Sequence, residues 1–143
     1  MIDKTKKFWT GSSAADIDEY LRLYSELDEL DVHPVICHSC GKDVFALKLH
    51  GDEGVIRVTC AECGTQKILL DGEELWHEVR TKNVKCKLCG CNHYNIRIGF
   101  HRRENGDVKW VYSGERCVQC EVLSSYADWP VNYGPTAEME KNI

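Results

Sequence analysis

The chain has 143 residues, of which 43% are hydrophobic and 29% charged, and its formal net charge is −5. This length allows one or two small modules and excludes a large enzyme with a separate substrate domain. No stretch approaches the roughly 18 consecutive apolar residues of a membrane-spanning helix, and no apolar run follows the basic start as in a secretory signal, so we expect a cytoplasmic protein without a membrane partner.

Residues 1–36 contain no cysteine and are predicted to form a helical leader. Ser13 is expected to cap a helix, and the acidic side chain of Asp16, three residues later, is expected to complete the cap. The apolar positions of this helix form one stripe, since they follow helical spacing: Ile17, Tyr20, Leu21, Tyr24 and Leu27. We expect the stripe to pack onto the adjacent cysteine-bearing module, the alternative being that it docks a partner. The helix should end before Pro34.

Eight of the nine cysteines fall in four Cys-x-x-Cys pairs. In a reducing compartment such pairs favour metal binding over disulfides. A tight turn places two such thiolates on one ion, and a following glycine can adopt the positive φ that this turn needs. The pairs supply eight candidate ligands, which suffice for two tetrahedral Zn²⁺ ions: Cys37, Cys40, Cys60, Cys63, Cys86, Cys89, Cys117 and Cys120.

An internal repeat organises the cysteine pairs. The first and third pairs are offset by 49 positions, and this offset superposes Phe45, Leu47 and Leu49 on Tyr94, Ile96 and Ile98, which alternate as strand residues do. Asn105-Gly106 predicts a tight hairpin turn in the second copy, and residues 51–54 a turn in the first. A further strand is expected after each copy's second pair, at 67–70 and 122–126.

This arrangement resembles the rubredoxin-like family of four-cysteine zinc ribbons, over residues 37–71 and again over 86–128. The resemblance implies a small mainly-β zinc-bound fold with two tandem zinc ribbons and an N-terminal helix. It also implies that each copy holds one structural Zn²⁺ with its own four cysteines. The domains are then the leader 1–36, ribbon 1 at 37–71, a connector at 72–85, ribbon 2 at 86–128 and a tail at 129–143. Glu121 departs from the pattern, because it stands where the first copy has Gly64, and this predicts a strained turn.

Other ligand arrangements remain open at this point. An interleaved pairing would join the first and third pairs on one ion, although the repeat favours sequential sites. His38 and His93 lie close to cysteine pairs and are possible substitute ligands. A zinc ion with four cysteine ligands has no open position for water, and no catalytic constellation accompanies it, so we expect no enzyme.

The sequence also predicts roles for Cys91, for residues 73–79 and for the tail. Cys91 is interpreted as a buried or inert thiol, the alternatives being a reactive thiol or a substitute for Cys89. Residues 73–79 are expected to form a short helix or a strap, with Trp76 packed between the ribbons. The tail should fold back over the sheet edge, with Trp129 and Tyr133 covering the core and Thr136 capping a helical turn over 137–141.

Residues 77–120 form the only basic segment, with nine basic and four acidic side chains. Its candidate partner-binding residues are Arg97, Arg102, Arg103, Lys109 and Trp110. Basic side chains beside aromatic rings suit single-stranded nucleic acid, and the competing interpretation is internal charge pairing with the acidic leader. Our leading hypothesis is a non-catalytic protein that binds another protein, as a regulator or a toxin-neutralising partner. Nucleic-acid binding is the alternative, and a thiol or redox role of Cys91 comes third.

Overall fold

A computed structural model describes all residues from Met1 to Ile143. The fold is mainly β, with two α-helices and one 3₁₀ helix. The strands are β1 (Ile2–Asp3), β2 (Thr10–Gly11), β3 (Asp31–Pro34), β4 (Phe45–His50), β5 (Val55–Cys60), β6 (Gln66–Ile68), β7 (Lys82–Asn83), β8 (Tyr94–Arg102), β9 (Val108–Cys117), β10 (Leu123–Ser124) and β11 (Asp128–Pro130). The helices are α1 (Asp16–Ser25), the 3₁₀ helix (Gly72–Leu75) and α2 (Ala137–Glu140). Neither α-helix has the length and hydrophobicity that crossing a lipid bilayer requires.

The two copies of the repeat form two antiparallel hairpins, β4–β5 and β8–β9. The second hairpin turns through Gly106, whose φ of 93° is open to glycine but strained for other residues. The turn of the first hairpin lies at residues 51–54. Both turns were predicted from these residues, and both are confirmed.

One nine-stranded sheet contains both hairpins, with the main order β10-β9-β8-β4-β5-β6. Phe45 of β4 and Tyr94 of β8 are the one register pair that joins the hairpins. A single core of 22 buried residues nevertheless spans both copies, from Val35 to Met139. The turn of the first hairpin packs against the tail strand β11, which pairs with β9 of the second copy, since a Cβ on Gly54 would lie 2.4 Å from the Trp129 ring. The two copies therefore share one sheet and one core.

The leader helix begins without the serine cap that its sequence predicts. Ala15 occupies the N-cap position and makes no side-chain cap bond. The predicted contribution of Asp16 to the cap does form. Its carboxylate accepts hydrogen bonds from the Ser13 N–H at 3.2 Å and from the Met1 ammonium at 2.7 Å. Asp16 thus ties the start of the chain to the start of α1.

The helix packs onto the second copy rather than onto the first copy that follows it in sequence. Ile17 and Leu21 are fully buried and face β9 and β8, where Gly114 and Gly99 leave room for them. Strand β3 continues this contact, since it pairs antiparallel with β8 over four residues. The expectation that the stripe covers the adjacent module is therefore corrected. The stripe itself is only partly buried, because Tyr24 is 48% exposed.

The connector contacts the first copy, and the tail folds back onto the sheet. The 3₁₀ helix confirms a short helix in the connector, but the cation contacts of Trp76 are with Lys48 and Arg57 of the first copy rather than between the copies. The tail folds back as expected, because β11 pairs with β9 and Trp129 is 6% exposed. Tyr133, however, is 48% exposed, so the prediction that it covers the core is wrong. Helix α2 forms at the predicted place with Thr136 at its N-cap position, although the Thr136 hydroxyl makes no cap bond.

Candidate metal centres

Eight cysteines come together in two groups of four, one in each copy. The first group is Cys37, Cys40, Cys60 and Cys63, and the second is Cys86, Cys89, Cys117 and Cys120. All four sulfurs of each group lie within 4.8 Å of one another. The grouping is sequential, as the repeat predicts, and the interleaved alternative does not occur.

The distances between sulfurs fit a tetrahedral ion. The Sγ atoms of Cys37 and Cys63 lie 3.6 Å apart, and those of Cys86 and Cys120 lie 3.4 Å apart. A tetrahedron with metal–sulfur bonds of about 2.3 Å has edges of about 3.8 Å, whereas a disulfide bond is about 2.05 Å long. All nine cysteines are free thiols. Each group is therefore positioned to hold one metal ion through four sulfurs.

The same backbone turn presents all four cysteine pairs. In each turn the carbonyl of the first cysteine accepts a hydrogen bond from the N–H four residues on, and its own N–H donates to the carbonyl five residues on. The first bonds come from Gly41, Gly64, Gly90 and Glu121 at 2.8 to 2.9 Å. All four donors have positive φ, so the glycines serve the conformation that the sequence predicts for them.

Glu121 adopts the strained conformation that its departure from the pattern predicts. Its φ of 69° is close to the 78° of Gly64 at the equivalent turn. The Glu121 carboxylate accepts a hydrogen bond from Arg116 at 2.7 Å, and Arg116 also donates to the Gly11 carbonyl at 2.6 Å. The arginine therefore anchors this turn to the start of the leader, and it offsets part of the backbone strain.

Hydrogen bonds prepare particular sulfurs for the thiolate form, which is the form that binds metal. The Thr65 hydroxyl lies 3.1 Å from Cys63 Sγ. This bond, together with the Thr65 N–H and two neighbouring thiols, outweighs burial and lowers the pKa of Cys63 to about 6. Burial raises the pKa of Cys86, but the N–H groups of Cys89 and Leu88 outweigh it and lower that pKa to about 7. Burial, reinforced by the neighbouring thiols, raises the pKa of Cys120 to about 12. Sequence reasoning did not identify Thr65, although a hydroxyl two residues after a cysteine was its visible sign.

The remaining candidate ligands lie outside both groups. His38 makes a hydrogen bond through Nε2 to the Ile143 carbonyl at 2.8 Å, and His93 belongs to neither group. The Cys91 side chain is partly buried and packs against the core, while its carbonyl accepts the turn bond from the Cys86 N–H at 2.7 Å. Cys91 thus shapes the third turn through its backbone.

The basic candidates of the second copy are placed differently from one another. Arg97 donates to both Asp18 oxygens at 3.0 and 3.1 Å, and Arg102 donates to Asp31 and Glu140 at 2.8 Å each. Arg97 and Arg102 are therefore engaged with acidic side chains of the leader and tail.

The other three candidates form no ion pair. Arg103 donates to the Val131 carbonyl at 2.8 Å, and the Trp110 indole donates to Asp128 at 3.1 Å. Lys109 is exposed and makes no ion pair. The structure does not gather these five candidates into one free cationic surface.

No protein-family model, curated protein or solved structure matches this chain.

Proposed function

We propose that this protein is a non-catalytic zinc-binding module, built as two tandem four-cysteine zinc ribbons, that binds another protein. The observation that carries the proposal is the pair of four-sulfur groups. Four thiolates fill the coordination shell of a tetrahedral Zn²⁺ ion, which leaves no position at which a water molecule is activated. The ions then act on stability and shape rather than on a substrate.

The ribbon assignment is supported by more than the count of cysteines. Each copy combines two identical cysteine turns with one antiparallel hairpin, as the zinc ribbon resemblance implies. Sulfur ligands in tetrahedral geometry are typical of zinc and of iron, so the donor set restricts the metal to a short list. The nine free thiols fit a reducing compartment such as the cytoplasm.

A protein partner is favoured over nucleic acid by the distribution of charge. The chain carries a net charge of −5, and three of the arginines in its one basic segment, Arg97, Arg102 and Arg116, are already paired with carboxylates. A phosphate backbone would meet mostly repulsive surface. Of the four cationic residues proposed for the nucleic-acid alternative, only Arg103 and Lys109 make no ion pair.

Elemental analysis of the purified protein tests the metal assignment directly. We expect two zinc ions for each chain, and loss of β-sheet circular dichroism when a strong chelator removes them, because binding energies of about 10 to 16 kcal/mol are comparable with the stability of a small domain. Adding zinc back should restore the spectrum. Two iron atoms for each chain, or an unchanged spectrum in the metal-free protein, would contradict the proposal.

An oligothymidine of about 12 nucleotides tests the alternative. We expect no salt-sensitive binding of this oligonucleotide near physiological ionic strength. Binding that falls steeply with salt, and that the variant Arg103→Glu/Lys109→Glu abolishes, would favour the nucleic-acid function instead.

A further inference from the structure

A groove with aromatic walls lies between the start of the chain, the exposed face of α1 and the third cysteine turn. We call it the aromatic groove, and its volume is about 290 Å³. Its lining residues are Lys7, Phe8, Trp9, Tyr20, Leu23, Tyr24, Lys87 and Leu123. Phe8 and Trp9 come from the leader segment before the helix, which sequence reasoning left without a role.

Two apolar side chains of the aromatic groove are open to solvent. Leu23 is 42% exposed and Tyr24 is 48% exposed. Leu88, next to the lining residue Lys87, is 61% exposed. Six large hydrophobic residues of the whole chain are exposed in this way; two of them line this groove, and a third, Leu88, follows a lining residue in the chain. Such clustering distinguishes an interaction site from the scattered apolar residues of an ordinary surface.

Lysine ammonium groups stand at the aromatic walls. Lys7 Nζ and Lys87 Nζ lie 5.5 and 4.5 Å from the centre of the Phe8 ring, and Lys4 Nζ lies 5.2 Å from that of Trp9. None of these three lysines forms an ion pair, and the one lysine of the chain that does is Lys141. The groove thus joins an apolar floor to several cations that lack a counter-charge.

A carboxylate at the Tyr24 end of the groove is already engaged. Asp128 accepts hydrogen bonds from the Tyr24 hydroxyl at 3.2 Å and from the Trp110 indole at 3.1 Å. It holds the Tyr24 end of the groove in place and does not neutralise the lysines at the Phe8 end.

We infer that the aromatic groove binds an acidic peptide segment of a partner protein, which inserts one large apolar side chain between Phe8 and Leu23 and places carboxylates beside Lys7 and Lys87. This inference rests on the proposed protein-binding function and names its surface. The volume suits one large side chain with its flanking backbone, and apolar anchors flanked by charged contacts are the usual composition of a peptide site.

The aromatic rings favour a peptide over single-stranded nucleic acid. Bases need an open ring face on which to stack. The lysines stand over Phe8 and Trp9, while Tyr20 and Tyr24 stack on each other with centroids 6.1 Å apart. A base would displace these contacts, whereas carboxylates of a peptide add to the lysine contacts without disturbing the rings.

Selection from a displayed library of random peptides about 12 residues long tests the inference on the full-length, zinc-loaded protein. We expect the enriched peptides to carry several Asp or Glu residues around a large apolar residue. In fluorescence anisotropy, Lys7→Glu/Lys87→Glu should weaken binding of the best peptide by about tenfold or more, and added salt should weaken binding to the wild type.

Two further variants isolate the groove from general charge and from the metal turn. Arg80→Glu/Lys82→Glu makes the same change of charge at exposed positions that do not line the groove and should bind the peptide as the wild type does. Leu23→Gln leaves the cysteine turns untouched and should weaken binding by about tenfold, because it removes the apolar contact. Zinc content is measured on every sample, so loss of metal, which would count against the proposed function, is distinguished from loss of the groove.

Several outcomes would overturn the inference. These are enrichment of no peptide, enrichment of peptides without acidic residues, and equal binding by the wild type and the groove variants. Binding of an oligothymidine that the groove variants weaken would assign the groove to nucleic acid. A dimer of the wild type that Leu23→Gln dissociates would assign it to a second copy of this chain.

Discussion

Gly114 of β9 lies directly beneath Ile17 of α1, so closely that a Cβ on the glycine would be 2.4 Å from Ile17 Cγ2. A Cβ on Gly99 of the neighbouring strand would likewise lie 2.6 Å from Leu30 Cδ2. Two strand glycines thus form the flat patch on which the leader rests, and close approach of another element is the usual reason for glycine inside a strand.

The variant Gly114→Ala should lower the free energy of unfolding by about 1 to 3 kcal/mol, since the added methyl group forces the helix away from the sheet. Urea denaturation of the zinc-loaded protein measures the change. The double variant with Ile17→Ala removes the closest contact of the methyl group, although Leu21 stays 2.9 Å away, so the loss should be smaller than the sum of the two single losses. Strict additivity would show that Gly114 does not limit the approach of α1.

Substitution of single cysteines should separate ligands from the ninth cysteine. Cys63→Ser and Cys89→Ser each remove one sulfur from a group of four, and each should reduce the zinc content from two ions to one. Cys91→Ser should keep both ions, because its sulfur belongs to neither group. Native mass spectrometry gives the stoichiometry, and a Cys91→Ser protein with one ion would make Cys91 a ligand.

The glycines of the cysteine turns should be costly to replace even where space is free. Nothing lies within 4 Å of a Cβ placed on Gly64, so Gly64→Ala should cost about 1 kcal/mol through its positive φ alone. Glu121→Gln is the matched control, since that position already carries a side chain and keeps a partner for Arg116. Its stability should change by less than about 0.5 kcal/mol. Equal losses in both variants would contradict the backbone explanation.

The contacts of Arg102 predict a component of stability that disappears in acid. A hydrogen bond from Arg102 lowers the pKa of Glu140, and although burial raises the pKa of Asp31, bonds from Arg102 and His33 outweigh it and lower that pKa too. Both carboxyls therefore bind protons less readily in the folded chain than in the unfolded chain. Their contribution is present above the ordinary carboxyl pKa values and is lost as the pH falls through the lowered values.

Arg102→Gln should accordingly destabilise the protein by about 0.5 to 1 kcal/mol near neutral pH, a modest value because the pairs are partly exposed. The difference from the wild type should shrink below a pH of about 4. Arg103→Gln is the control, since Arg103 donates to a backbone carbonyl that does not titrate. Urea denaturation at several pH values measures both differences. A difference for Arg102→Gln that stays constant into acid would contradict the ion-pair explanation.

The local features of this fold could be predicted from sequence, because short spacings encode them. Cysteine turns, the Asn105-Gly106 hairpin and the amphipathic helix each depend on residues a few positions apart. The sequential grouping followed from the repeat, which places a full set of four cysteines in each copy.

Long-range placement could not be predicted in the same way. No local pattern encodes the docking of α1 on the second copy or the pairing of Arg97 with Asp18, which are 79 positions apart. Two features of the sequence were signs of this docking. The leader has an excess of acidic side chains and the second copy an excess of basic ones, and β8 and β9 contain glycines. The aromatic groove depends on the same long-range docking, and so it was invisible in the sequence.

Phe45 and Tyr94 occupy equivalent positions of the two copies, 49 residues apart, and they pair with each other. Equivalent residues of two antiparallel strands face each other when a local two-fold axis runs between the strands. The junction therefore has the geometry of an isologous dimer interface enclosed within one chain. In a true dimer, the concentration of the subunits decides whether the interface forms. Here the connector keeps the two copies at a high effective concentration, so the interface forms however dilute the protein is.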